Sequence, residues 1–137
     1  QLLTEENDNI LTLTLNRPEI MNSFNFDLLR ALKKQVDAVR FETQIRVVII
    51  TGTGEKAFCA GADLKERATL TPEQVKEFIT TIRNLFTRIE YMKKPAIAAV
   101  NGMPKDAKKD WKAIAVLAHP IHADHVRLVF DRARFQQ

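Results

Sequence analysis

The sequence reads as an α/β fold with parallel strands, on three observations. Short apolar strands and helical periodicity follow one another as strand, helix, strand, helix, strand, the order that builds a parallel sheet through crossover helices. The middle strand, Arg46–Thr51, is a continuous apolar run of the kind buried on both faces of such a sheet. That strand empties into a loop of small residues, Thr51–Lys65, where backbone N–H groups can come close to a ligand.

Each element has a local cause. Ile10–Leu15 alternates apolar residues with Thr, which gives a strand with one buried face, and Asn16-Arg17-Pro18-Glu19 ends it because Pro18 cannot continue the ladder. From Phe26 to Val39 the period becomes helical, with Leu28, Leu32, Val36 and Val39 on one face and Asn25 or Ser23 as cap. Thr71-Pro72-Glu73-Gln74 is a helix start: Thr71 caps, Pro72 takes the first position and Gln74 closes a capping box. The apolar stripe then runs from Val75 to Ile89, and Lys94-Pro95 stops the helix. Ala96–Val100 is a short strand and Asn101-Gly102 a turn. Beyond Met103 the character changes. Trp111, Ile114, Ala115 and Ala118 predict a short amphipathic helix, His119-Pro120 breaks it, and Asp124 caps a last helix with Val126, Val129, Phe130 and Ala133 inward. The division expected is therefore a core over 1–102 and a divergent helical tail over 103–137.

At 137 residues the chain is long enough to bury a substantial core, and 45% hydrophobic with 28% charged residues is the balance of a globular protein. The net charge of +4 favours an anionic small molecule or weak nucleic-acid contact without selecting either. One cysteine, Cys59, excludes an intrachain disulfide and fits a reducing compartment. No stretch approaches the roughly 20 apolar residues of a membrane span. The compartment expected is cytoplasm, or mitochondrial matrix for a eukaryotic source. Gln1 is not a start methionine, so processing is compatible with the chain.

Gly52-Thr53-Gly54-Glu55-Lys56-Ala57 formally matches the dinucleotide fingerprint G-x-G-x-x-A after a strand. That fingerprint should open a helix at once. Here Phe58-Cys59-Ala60-Gly61 follows, so the glycines are read as loop geometry. His119, His122 and His125 do not share one helical face, and Pro120 interrupts them, so no metal is assigned.

Three landmarks, in order, carry a family resemblance: Leu15-Asn16-Arg17-Pro18 with Met21-Asn22-Ser23, then Ala57–Lys65, then Lys94–Gly102. Together they resemble the enoyl-CoA hydratase/isomerase (crotonase) family over about residues 4 to 102. The run Ala60–Arg67 is similar to its AU-RNA-binding methylglutaconyl-CoA hydratase branch. The resemblance implies a crotonase-like core built of ββα units, here the N-terminal half. It also implies an acyl-CoA thioester as substrate and partner, with coenzyme A arriving as part of the substrate and no separate cofactor. The thioester oxygen would be held by two backbone N–H groups, the first from Ala62. Ala60, Asp63, Leu64 and Lys65 would line the path of adenine and pantetheine, with Lys65 and Arg17 near phosphates. A homo-oligomer, trimer or hexamer, is the family's assembly.

The chain departs from the family after Gly102. A glycine-rich segment supplying the second N–H is expected there, and two glutamates beyond it as general acid and base. The chain has no glycine after Gly102 and no glutamate after Glu90. Hydration needs both ends of that relay. Asp106, Asp110, Asp124 and Asp131 read as caps or surface charges. The expectation is an acyl-CoA-binding, lyase-type family member with impaired hydration. RNA binding is the alternative, motivated by the AU-binding branch and by Arg30, Lys33, Lys34 and Arg40 on one helix, where a solvated face is the simpler account. An inactive oligomerising fragment is the third reading.

Overall fold

The computed structural model describes residues 1–102 and the strand Val126–Phe130. The elements run β1 (Leu2–Asn7), β2 (Ile10–Leu15), a 3-10 turn (Pro18–Ile20), α1 (Phe26–Val39), β3 (Val47–Gly52), α2 (Leu64–Arg67), α3 (Pro72–Glu90), β4 (Ala96–Val100) and β5 (Val126–Phe130). They form one five-stranded sheet in sequential order, with β1 antiparallel to β2 and every later pair parallel. The N-terminal hairpin makes the sheet mixed. Its two-residue turn, Asp8-Asn9, holds both residues at positive φ, 49° and 65°, where Asp and Asn are tolerated better than most residues.

Strand β2 buries Leu11, Leu13 and Leu15 and leaves Thr12 and Thr14 half-buried, which is the alternation its sequence prescribes. Helix α1 is capped by Asn25, whose side chain accepts from the Leu28 N–H, and it buries Phe26, Leu28, Leu29, Leu32, Val36 and Val39. Helix α3 begins with the complete Thr71/Gln74 capping box and buries Phe78, Leu85 and Ile89. The two helices meet edge-to-face through Phe26 and Phe78, with ring centroids 5.1 Å apart. Asp37 on α1 pairs with Lys33 of the same helix and with Arg88 of α3. The core is the space between these helices and the leucines of β2, with Val48 and Ala96 from the neighbouring strands.

Two expectations are corrected. Strand β3 is not buried on both faces among the described residues: Val48 and Gly52 are buried, whereas Val47, Ile49 and Ile50 are half-buried. Strands β2, β3 and β4 step across the sheet in one direction, so successive crossovers of one hand put α1 and α3 on the same face. The helix expected from Asp124 is replaced at Val126–Phe130 by strand β5, registered Ala96↔Val126 to Val100↔Phe130. Val-Arg-Leu-Val-Phe is rich in residues that favour a pleated surface, and the exposed edge of β4 satisfies its backbone. The helix expected around Trp111 and the three histidines lie outside the described residues.

Candidate active site

The three sequence landmarks meet at the C-terminal ends of β2, β3 and β4, where ligands bind in open α/β sheets. Asn22 joins them. It is fully buried, adopts φ 55°, accepts from the Arg17 N–H (2.9 Å) and donates through Nδ2 to the carbonyls of Thr53 (2.9 Å) and Ala57 (3.0 Å). The third landmark grips the same loop. Asn101 accepts from the Gly52 N–H and donates to the Gly54 carbonyl, and the Phe58 N–H donates to the Gly102 carbonyl (2.9 Å).

The glycines of this loop serve close approach. A Cβ on Gly52 would lie 2.5 Å from the Phe58 carbonyl oxygen and 2.8 Å from Asn22 Nδ2. Gly54, at φ 84°, occupies the left-handed region. No helix opens at this loop; the next one, α2, starts at Leu64, as loop geometry rather than a nucleotide fingerprint requires.

Downstream, Phe24 and Ala62 form an isolated parallel bridge. The Phe24 N–H donates to the Gly61 carbonyl (2.7 Å), and the Asp63 N–H donates to the Phe24 carbonyl (2.8 Å). These bonds occupy the groups on either side of Ala62, whose own N–H is left without a partner among the described residues. Gly61 reaches its place at φ 98°. Asp63 caps α2 by accepting from the N–H groups of Lys65 and Glu66. Glu66 in turn accepts from the Phe26 N–H (3.0 Å), which ties α2 to the start of α1.

Of the residues singled out by sequence, Ala60, Leu64 and Lys65 are exposed, and Ala62 and Asp63 are half-buried, all on one continuous surface segment. Arg17 is not free to meet a phosphate. Its side chain is 12% exposed and bonds inward to the Ser23 carbonyl (2.7 Å) and to Asp63 Oδ2 (2.9 Å). Burial raises the Asp63 pKa, but the Arg17 hydrogen bond, the two capping N–H groups and the Arg17 charge outweigh it and hold the carboxyl below its usual value. Burial also pushes the Cys59 thiol up to about 11, against a weaker opposing hydrogen bond with the Gly61 backbone, so Cys59 is a poor nucleophile at neutral pH. A separate cleft of about 310 Å³ lies between the 3-10 turn and the Gly52–Ala57 loop, lined by Pro18, Glu19, Met21, Glu55 and Lys56. None of Ala60–Lys65 lines it.

The parts of the site that sequence reasoning passed over are Phe24, the inward role of Arg17, and the Asn101 side chain. Asn22 and Asn101 stood inside the quoted motifs, but nothing in their spacing announced which carbonyls they would reach. Among the described residues no group of three His, Cys, Asp or Glu side chains is arranged to hold a metal, and no helix is long and apolar enough to cross a membrane. On the α1 stripe, Arg30 pairs with Glu77 and Lys33 with Asp37, which reduces the cationic surface available to a polyanion.

A sheet of this topology with backbone donors at its strand ends matches known proteins over the same stretch. The enoyl-CoA hydratase/isomerase family profile matches residues 5–106. YngF of Bacillus subtilis, named for that same class, is 45% identical over 101 residues, covering 74% of this chain and 39% of that protein. Human mitochondrial methylglutaconyl-CoA hydratase is 40% identical over 101 residues, covering 74% of this chain and 30% of that protein. Among solved structures, the enoyl-CoA hydratase from Bacillus anthracis superposes with a TM-score of 0.71 at 41% identity, over 74% of this chain and 40% of that one. The chain belongs to the enoyl-CoA hydratase/isomerase family. It spans between 30% and 39% of the length of these curated relatives.

Proposed function

We propose that the chain binds acyl-CoA thioesters and supplies the Ala62 N–H as one of the two backbone donors that stabilise charge developing on the thioester oxygen. The observation that carries this reading is the free Ala62 N–H, flanked on both sides by groups already bonded to Phe24. A donor fixed before the ligand arrives costs no reorganisation when charge develops, and one such donor lowers the barrier by about 2.7–4 kcal/mol. Ala60, Asp63, Leu64 and Lys65 line the coenzyme A path in this reading. Lys65 is the cation for a phosphate, since its side chain is exposed and has no partner among the described residues. Asp63 contributes through its capping bonds.

Residues 1–137 do not contain the later glutamates that the family uses to move protons to and from water. The chain by itself therefore binds the thioester and hydrates it weakly or not at all. Crotonyl-CoA hydration, followed by loss of the conjugated-thioester absorbance, tests this. Turnover in the ordinary enzymatic range of about 1–1,000 per second would overturn the impaired-hydration reading. Self-association belongs to the same proposal and is supported by large apolar side chains left at the surface, Phe41 (80% exposed) and Leu3 (51%).

A further inference from the structure

We infer that Arg17 is a positioning residue for the Ala62 donor, acting through a hydrogen-bonded chain of two peptide groups that runs from its guanidinium to the Ala62 N–H. The inference deepens the acyl-CoA reading and rests on it.

The chain can be followed atom by atom. Arg17 Nη1 donates to the Ser23 carbonyl at 2.7 Å. That carbonyl and the Phe24 N–H belong to one planar trans peptide, so they point in opposite directions. The Phe24 N–H donates to the Gly61 carbonyl at 2.7 Å. That carbonyl and the Ala62 N–H again share one trans peptide, so fixing the Gly61 oxygen aims the Ala62 hydrogen the opposite way. The second guanidinium nitrogen, Nη2, holds Asp63 Oδ2 at 2.9 Å, and the Asp63 N–H returns to the Phe24 carbonyl at 2.8 Å. One arginine thus anchors both chain segments whose bridge orients the donor.

The charge adds a second effect. A cation on the Ser23 carbonyl polarises that peptide and strengthens its N–H as a donor. The Phe24–Gly61 bond then polarises the next peptide in the same sense. The Ala62 N–H ends this series, so negative charge on a bound oxygen would interact with a donor already polarised toward it. The arginine is nearly buried, which limits the screening of its charge by water. Gly61 at φ 98° occupies the left-handed region, and a Cβ there would meet nothing within 4 Å. Backbone conformation, not lack of space, selects glycine at this point in the relay.

The test compares two probes on the full chain: butyryl-CoA, and S-butyl-CoA, which lacks the thioester carbonyl oxygen. Affinities are measured by calorimetry for the wild type, Arg17→Gln and Arg17→Lys. The carbonyl stretch of bound ¹³C-butyryl-CoA is measured by infrared difference spectroscopy. The wild type is expected to prefer the thioester about tenfold, the worth of one well-placed hydrogen bond, and to lower its carbonyl frequency. Arg17→Gln should bring the affinity ratio near one and return the frequency toward its free value, with S-butyl-CoA affinity held within about twofold. Arg17→Lys, which keeps the charge but cannot span both partners, should retain part of the ratio; it is the decisive variant if Arg17→Gln fails to fold by circular dichroism. A folded variant with unchanged ratio and frequency overturns the inference and leaves the acyl-CoA reading standing. Equal loss of both probes also overturns it, because it assigns Arg17 a structural role only. A wild type that binds neither probe overturns the acyl-CoA reading, and the inference falls with it.

Discussion

Replacing Asn22 by alanine should be among the most damaging single changes in the described part of the chain. Its side chain is fully buried and makes three hydrogen bonds, to the Arg17 N–H and to the carbonyls of Thr53 and Ala57. At about 1 kcal/mol of net stability each, their loss costs about 3 kcal/mol, since no other protein group replaces them. Residue 22 also sits at φ 55°, which asparagine tolerates and alanine resists by about 1 kcal/mol. The expected destabilisation is about 4 kcal/mol, a large part of the stability of a domain this size and roughly 15 °C in melting temperature. Urea unfolding followed by circular dichroism measures it. Asn22→Gly separates the contributions, because glycine relieves the strain without restoring the bonds and should recover at most about 1 kcal/mol. A loss below about 1 kcal/mol in Asn22→Ala would refute the view that this side chain clamps the landmark loops together.

Gly102→Ala should cost about 1–3 kcal/mol, because its Cβ would lie 2.5 Å from the Glu55 carbonyl oxygen and 3.0 Å from the Ala57 nitrogen, both backbone atoms; chemical denaturation measures it. The Asp63 carboxyl, held below its usual pKa, stabilises the fold above its unfolded value of about 3.9, and that contribution is lost as pH falls through the lower folded value. Asp37 is lowered as well, chiefly by its hydrogen bond to Lys33, so acid unfolding of the wild type reports both groups. Asp63→Asn should flatten the stability–pH curve below about pH 4 relative to the wild type, and an identical acid limb would remove Asp63 from the account.

The parts of the fold that sequence made legible are those whose cause is local. Helix α3 was announced by a capping box that forms as expected, α1 by its apolar spacing and Asn25, and β2 by its Thr alternation. Strand β1 went unread because Leu2–Asn7 has only one residue that is not exposed and therefore little alternation to detect, although Asp8-Asn9 was a usable turn signal. Helix α2 is four residues long, too short for periodicity, and exists because Asp63 caps it. Strand β5 was misread because Val126, Val129 and Phe130 satisfy a helical spacing as well as a strand, and only the neighbouring edge of β4 decides. At the site, small residues revealed that backbone would be used. Which backbone atoms face outward depends on the Phe24–Ala62 bridge, a contact across 38 positions that no local pattern encodes.

The contacts at the strand ends divide into two sets with different dependence on the rest of the chain. The groups that orient the Ala62 N–H are Arg17, Ser23, Phe24, Gly61 and Asp63, all upstream of α3. The groups that hold the Gly52–Ala57 loop from the other side are Asn101 and Gly102, at the end of β4. Asn22 bonds to the loop at Thr53 and Ala57 and to both the N–H and the carbonyl of Arg17, so it ties the loop to the first set. Disturbance at Asn101 or Gly102 therefore loosens the loop first and reaches the donor through Asn22 and along the chain from Phe58 to Gly61. Disturbance at Arg17 turns the donor while leaving the Asn101 bonds in place. Among the described residues, every bond that orients the Ala62 N–H comes from the stretch Arg17–Asp63, so this half of the site is built wholly within the residues that match the family.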